Sequence, residues 1–347
     1  MLALVLTVCH GVIAAGPLDS DAPQHQSLRQ IGRLSHKDPV RTLSFSGDGN
    51  RLVSVDSKGT LAIWDLAHRK EEFAFGEYGS KSSPFGAVFS PFGKSVVFSD
   101  YEGFINRLNL ATKRPEGSRF DTGLLSIPIA LAADGSILLT VGGSWFNYDC
   151  DDVVVWDLVR GKSIFGLKRE PRGNVAAITP VGNQIAVGNR NGSLELWNVR
   201  SGKQVAVLKQ DEAVACVAYA PNARLLASGG EAGTVKIWDT ETRKEVSTLK
   251  RQRKSASSLA WSHDGRWLAS GYEDGIVRIW DVAGGRERAS FRADSTGECG
   301  FACCPRLEFD KDDKVLATGG AVAEDETEVK LWDTSFLAEK KKPGRGK

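Results

Sequence analysis

Methionine is nearly missing from this chain, occurring only as Met1, and histidine is scarce at 5 residues in 347. Net charge is almost absent too: 45 Lys and Arg stand against 43 Asp and Glu, so no global basic field points to nucleic acid. The sequence has no Cys-x-x-Cys pair, no phosphate-cradling glycine loop and no Gly-x-Ser-x-Gly elbow. Those absences remove the usual signatures of thiol redox, nucleotide and esterase chemistry. Nor is there an apolar run long enough to hold a bilayer span. The apolar residues Leu2 to Val8 and Gly11 to Ala15 are interrupted by Thr7 and His10, and no Lys or Arg precedes them. We read residues 1–15 as a cleaved export signal ending near Ile13-Ala14-Ala15, followed by a leader over 16–27. The alternative is a cytoplasmic protein with an apolar leader or a misplaced start. Export predicts a periplasmic, cell-surface or secreted protein with no membrane insertion once the signal is gone.

Cysteine is sparse and unpaired in pattern. Beyond Cys9 come Cys150, Cys216, Cys299, Cys303 and Cys304, an odd number without a framework. In an oxidising compartment Cys299 is placed to bridge Cys303 or Cys304. Cys216, in the apolar run around Ala215 and Val217, reads as core.

What the chain has in abundance is glycine, 37 residues, and a recurring segment. Gly233-Thr234-Val235-Lys236-Ile237-Trp238-Asp239 has counterparts ending in Trp64-Asp65, Trp156-Asp157, Trp197-Asn198, Trp280-Asp281 and Trp332-Asp333. A degenerate copy, Gly103 to Asn109, puts Leu108 in the Trp slot. The seven positions are spaced 41 to 52 residues apart, and six of the nine Trp fall in phase. Around each Trp strand lie an apolar strand ending in a turn (Leu43 to Gly49), a strand of small residues (Arg224 to Gly230) and, after another turn, a fourth strand (Gln204 to Leu208). Short strands punctuated by Gly, Asn and Asp turns read as antiparallel sheet. The period and terminal Trp-Asp resemble the WD-repeat (WD40) β-propeller family over residues 28 to about 334. That resemblance implies an all-β, seven-bladed propeller over 28–335, with a basic disordered tail over 336–347.

A four-stranded unit cannot bury both its faces alone, so stacking in a ring does it. After Trp332-Asp333 too few residues remain for an outer strand, whereas Arg29 to Leu34 is a spare strand ahead of the first unit. We expect it to complete the last blade and close the ring. Trp64, Trp156, Trp197, Trp238, Trp280 and Trp332 are expected to be structural, buried between blades. The family also implies a His–Ser/Thr–Trp–Asp hydrogen-bond network, with the Asp six residues before the Trp. Those slots hold Lys58, Glu102, Cys150, Asn191, Ala232, Asp274 and Glu326, so no blade is expected to carry the network whole.

Chemistry is thin. The strand order puts His36 on one face and His68 and His263 on the other, so they cannot converge on a metal or triad. We expect no enzyme and no cofactor. Loop lengths say more. The second-to-third-strand loops of blades 3 (Gly142–Asp152) and 7 (Gly319–Glu328), and the loop into blade 7 (Arg292–Cys303), are long and share one face. Function concentrates in loops held by a rigid scaffold. Trp145, Phe146 and Tyr148 either anchor a partner or fold back as a cap over the channel. Asp149, Asp151 and Asp152 are solvated carboxylates rather than an ion loop. Arg251 and Arg253, in a basic run into blade 6, either meet an acidic partner or anionic polymer, or balance the acidic loop of blade 7 or stay solvated. The resemblance further implies that Ser57, Tyr101, Asp149, Arg190, Glu231, Glu273 and Asp325 point to this face. The resulting expectation is a protein-interaction scaffold for a peptide or protein partner, monomeric or within a hetero-complex. The alternatives are a small-ligand or carbohydrate site near Trp145 and Tyr148, and a propeller enzyme.

Overall fold

The computed structural model describes residues 28–76, 80, 82–117, 119–122, 126–142, 153–167, 175–249, 252–293, 306–319 and 327–338. They form seven small antiparallel sheets. Blade 1 is typical, running Val40–Phe45, Arg51–Asp56, Leu61–Asp65 and Lys70–Phe75 from the inside outward. The inner strands of successive blades touch in cyclic order, and that of blade 7, Arg306–Phe309, touches that of blade 1. The protein is a seven-bladed β-propeller.

Burial follows the position of each strand. Leu52, Val53 and Val55 in the second strand of blade 1 and Leu61, Ala62 and Ile63 in the third are buried, because both faces of a blade meet neighbours. Tight turns join the strands. Gly59 has φ of 85°, and a Cβ there would collide with the Pro84 carbonyl of blade 2, so the turn needs glycine on both counts.

The in-phase Trp residues stand between blades. Trp64, Trp156, Trp238, Trp280 and Trp332 are buried, and each indole N–H donates to a hydroxyl on the second strand of its own blade. The acceptors are Ser54 at 2.7 Å, Thr140 at 2.9 Å, Ser228 at 2.8 Å, Ser270 at 2.8 Å and Thr318 at 3.0 Å. Trp197 departs from the expected burial and is half-buried. In the corresponding register Val187 faces Glu195; Val187 offers no hydroxyl, and the Glu195 carboxylate accepts the indole N–H at 3.0 Å instead.

The expectation that no blade carries the whole polar network is corrected in blade 1. His36 Nε2 lies 2.5 Å from the Ser54 hydroxyl, and its Nδ1 lies 3.6 Å from Asp56 Oδ2. The carboxylate comes from Asp56, two residues ahead of the slot read from sequence. Asp56 Oδ1 also accepts the backbone N–H groups of Lys58 and Thr60 at 3.0 and 2.9 Å. Burial works against its charge, yet the bonds from His36 and Thr60 outweigh that and hold Asp56 below its ordinary value. Blade 5 builds a variant: Gln210 accepts from Ser228 at 2.5 Å, and the Glu212 carboxylate caps the turn at Ala232 and Thr234.

The ring closes as expected. Gln30–Ser35 pairs antiparallel with Glu328–Asp333, Leu34 facing Val329 and Arg33 facing Lys330. The packed chain reaches beyond residue 335: Leu337 is buried and Phe336 packs against the same cluster, so these two residues belong to the fold, not to the tail. Cys216 is buried, its thiol donating to the Ala256 carbonyl at 3.0 Å. The pair proposed among Cys299, Cys303 and Cys304 lies outside the described residues.

Candidate functional site

Connections from second to third strand and from outer to inner strand leave every blade at the same end of the ring. Two clusters of described side chains stand there. The first spans blades 1 and 2. Asp100, the last residue of Ser95–Asp100, accepts the backbone N–H groups of Glu102 and Phe104. That cap fixes the turn that presents Tyr101. The Tyr101 ring meets Phe85 edge-on at 5.1 Å, and Arg41 donates to its hydroxyl at 2.8 Å while lying 5.2 Å over Phe85. Phe85 is buried, whereas Tyr101 and Arg41 are only partly buried. Arg306 of blade 7 reaches the Arg41 carbonyl at 3.2 Å.

The second cluster crosses blades 4, 5 and 6. Arg190 pairs with Glu231 at 3.3 Å, both exposed. Glu273 sits half-buried; burial raises its carboxyl above the ordinary value, Lys254 opposes that, and Glu231 adds to it. Arg253 is exposed on the same loop as Lys254. The two clusters differ in kind: one is a fixed aromatic–guanidinium stack, the other an arc of alternating charge.

Of the residues singled out from sequence, Tyr101, Arg190, Arg253 and Glu273 therefore lie within these two clusters. Trp145, Phe146, Tyr148, Asp149, Arg251 and Asp325 lie outside the described residues. Sequence reading missed Arg41 and Phe85. Each is the extra residue at a register shift, between Val40 and Thr42 and between Pro84 and Gly86. A bulge of this kind re-aims a side chain. The signal was present as a break in the alternation of each inner strand.

The histidines separate as expected from strand order. His36 is tied to Ser54 and Asp56 at this end, while His68 pairs with Asp65 in blade 1 and His263 with Asp313 across blades 6 and 7 at the other. The Asp313 contact raises the His263 imidazole, though partial burial opposes it.

The family model described as WD domain, G-beta repeat, matches residues 28–65, 202–239 and 243–281. Each match ends on a Trp-Asp pair and begins before the blade that owns it, so the sequence repeat is staggered by one strand against the blade. The three matched Trp, at 64, 238 and 280, all donate to a serine hydroxyl. No curated protein matches the chain.

Proposed function

Taking the chain as a WD-repeat β-propeller, we propose that it is a non-catalytic scaffold holding a peptide or protein partner at the end that carries the long loops. Propellers of this kind are typically interaction scaffolds, and fold alone does not choose the partner. The observation that carries the reading is Tyr101, left partly open and held by Phe85 beneath and Arg41 beside it. An aromatic with few torsions, already locked, loses little freedom when a partner covers it. The alternating charges of Arg190, Glu231, Lys254 and Glu273 favour a partner segment that itself carries both signs.

The test is capture of partners by immobilised wild type beside Tyr101→Ala/Arg190→Ala and Trp145→Ala/Tyr148→Ala. The reading requires the first pair to lose partners that wild type retains. Equal capture by wild type and Tyr101→Ala/Arg190→Ala defeats it. Loss with the second pair alone would move the anchor to the blade 3 loop. Export remains part of the proposal, resting on Leu2 to Ala15; an intact Met1 on the mature protein sinks it.

A further inference from the structure

The opposite end of the ring carries a patch that the proposed scaffold role does not use. There the turns between first and second strands follow one pattern: Ser46-Gly47-Asp48-Gly49, Ala132-Ala133-Asp134-Gly135 and Ser262-His263-Asp264-Gly265. In each the Asp side chain caps its own turn, accepting the N–H of Asn50, Ser136 or Arg266 near 3.0 Å. Blades 2 and 4 give up that hydrogen bond. Phe92 and Val181 occupy the Asp position, and both point outward, 73% and 68% exposed. Val159, on the outer turn of blade 3, is 82% exposed.

The three residues belong to one contiguous surface. Pro91 lies against Gly135, the Ala133 N–H donates to the Pro180 carbonyl at 2.7 Å, and the Leu158 N–H donates to Ser136 at 2.8 Å. The turns bearing Phe92, Val159 and Val181 are thus stitched together around blade 3. Cations surround them: Lys94, Lys113, Arg114, Lys162, Arg200 and Lys203 are exposed. None of these six pairs with a carboxylate among the described residues. The local carboxylates are engaged elsewhere: Asp134 and Asp157 are bound into their own turns by Ser136 and Arg160, and Glu116 takes the Asn109 amide at 2.6 Å and lies 4.0 Å from Arg107.

We propose that this surface over blades 2 to 4 docks on an anionic lipid membrane, the three apolar tips entering the headgroup boundary while the cations meet lipid phosphates and carboxylates. Protruding apolar side chains within a basic ring suit a soft interface that they can penetrate. A folded protein or peptide partner anchors instead in concave, packed pockets, and these tips stand on turns. Blade 7 sets the tilt: its turn at the same end, Asp310 to Lys314, holds three Asp against two Lys, with Asp312 paired to Lys314 and Asp313 to His263. It offers no excess of cations, so the ring leans on its blade 2 to 4 side. Among the described residues no helix is long and apolar enough to cross a membrane.

Flotation with vesicles of phosphatidylcholine alone, or mixed with phosphatidylserine, tests this. The full chain is used with Lys340→Gln/Lys341→Gln/Lys342→Gln, so that the basic tail does not dominate. The expected result is binding to the anionic vesicles that falls about a hundredfold or more in Phe92→Ser/Val181→Ser, about tenfold or more for each apolar side chain withdrawn from the membrane. Arg200→Gln/Lys203→Gln should also lose about thirtyfold, each cation near the surface contributing about fivefold. All four side chains changed are exposed, so melting should match the parent; if the first pair fails to fold, Val159→Ser on its separate turn gives the same reading. No flotation, equal flotation with both lipids, or parental binding in the variants overturns the proposal. Capture of a poly-glutamate probe without flotation, lost in the same variants, assigns the patch to an acidic protein and overturns it too. Because Tyr101 and Arg190 lie at the other end, failure here leaves the scaffold reading standing.

Discussion

Blades 1 and 2 stand side by side and fill the same space by different means. In blade 1, Ser54 and Trp64 share a hydrogen bond, and His36 and Asp56 extend it into a buried network. In blade 2 the register places Phe98 where Ser54 stands and Leu108 where Trp64 stands, Val96 facing Leu108 as Leu52 faces Trp64. The small residue has become large and the large one small, and both Phe98 and Leu108 are buried. Only the carboxylate is kept: Asp100 caps its turn as Asp56 does, and its second oxygen takes the Asn106 amide at 2.7 Å instead of a histidine. A core accepts such an exchange when total volume is held. Blade position is thus set by volume and turn geometry, while the polar network is one of several ways to meet them.

The heaviest blow to this comparison is removal of the indole. Trp64→Ala should cost about 3–5 kcal/mol, read from the urea midpoint, because the cavity also leaves Ser54 and His36 short of a neighbour. A loss under 1 kcal/mol would mean that the Trp is ornamental in blade 1. A finer probe transplants the neighbour's solution. Ser54→Phe should overpack and Trp64→Leu should leave a hole, yet the double change Ser54→Phe/Trp64→Leu should cost less than the two singles together, with coupling of about 1–3 kcal/mol. Strict additivity would show that the two blades do not exchange volume as their registers suggest.

This contrast also explains how far the sequence was readable. The ring and its seven units were legible because Trp-Asp pairs recur in phase, and the closing strand because the last unit runs short. Blade 1 matches the family model, whereas blade 2 lacks the Trp that would announce it, so only spacing around Leu108 revealed it. Its outer strand is broken into Arg114–Pro115 and Phe120–Asp121, since Pro115 offers no N–H to the ladder. Phe120 then lies 5.4 Å from Trp156 of blade 3. The network in blade 1 was hidden because Asp56 works from an unexpected position, a matter of turn geometry rather than spacing. At the loop end, Arg41 and Phe85 were obscured by bulges. Phe92, Val159 and Val181 carry no periodic signal, because single turn residues repeat nothing until the blades are aligned in space.

Smaller still is the effect of single hydroxyls, and here the two blades should respond with opposite sign. Ser54→Ala leaves the Trp64 indole N–H and His36 without their partner, at about 1–3 kcal/mol. Ser99, in the second strand of blade 2, is fully buried with a hydroxyl that finds no hydrogen-bond partner among the described residues. Its counterpart in blade 1 is Val55, an apolar residue. Ser99→Ala should therefore be neutral or stabilise by up to about 1 kcal/mol. Equal destabilisation by both, measured as shifts of the urea midpoint, would erase the distinction.

The weakest expected effect concerns the seams on either side of blade 1. At the seam with blade 2, Ser44 accepts the Phe89 N–H at 3.4 Å. The corresponding residue of blade 7, the one before Phe309, is Glu308, whose carboxyl accepts the Phe45 N–H. A neutral latch on one side is thus an ionisable latch on the other. Burial pushes Glu308 up to about 8, the Phe45 bond and His263 only partly opposing it. The residue as a whole keeps some open surface, so solvent softens the shift. The sign is nonetheless fixed: between the ordinary carboxyl value and about 8 the folded chain holds a proton that the unfolded chain releases. Stability from this group is complete at acid pH and lost as pH rises toward 8. Glu308→Gln should flatten that fall, making the variant relatively more stable at pH 9 than at pH 5, while Ser44→Ala shifts both conditions alike. Parallel pH profiles for Glu308→Gln and wild type would show that the carboxyl ionises freely within the seam, and that the two latches are equivalent after all.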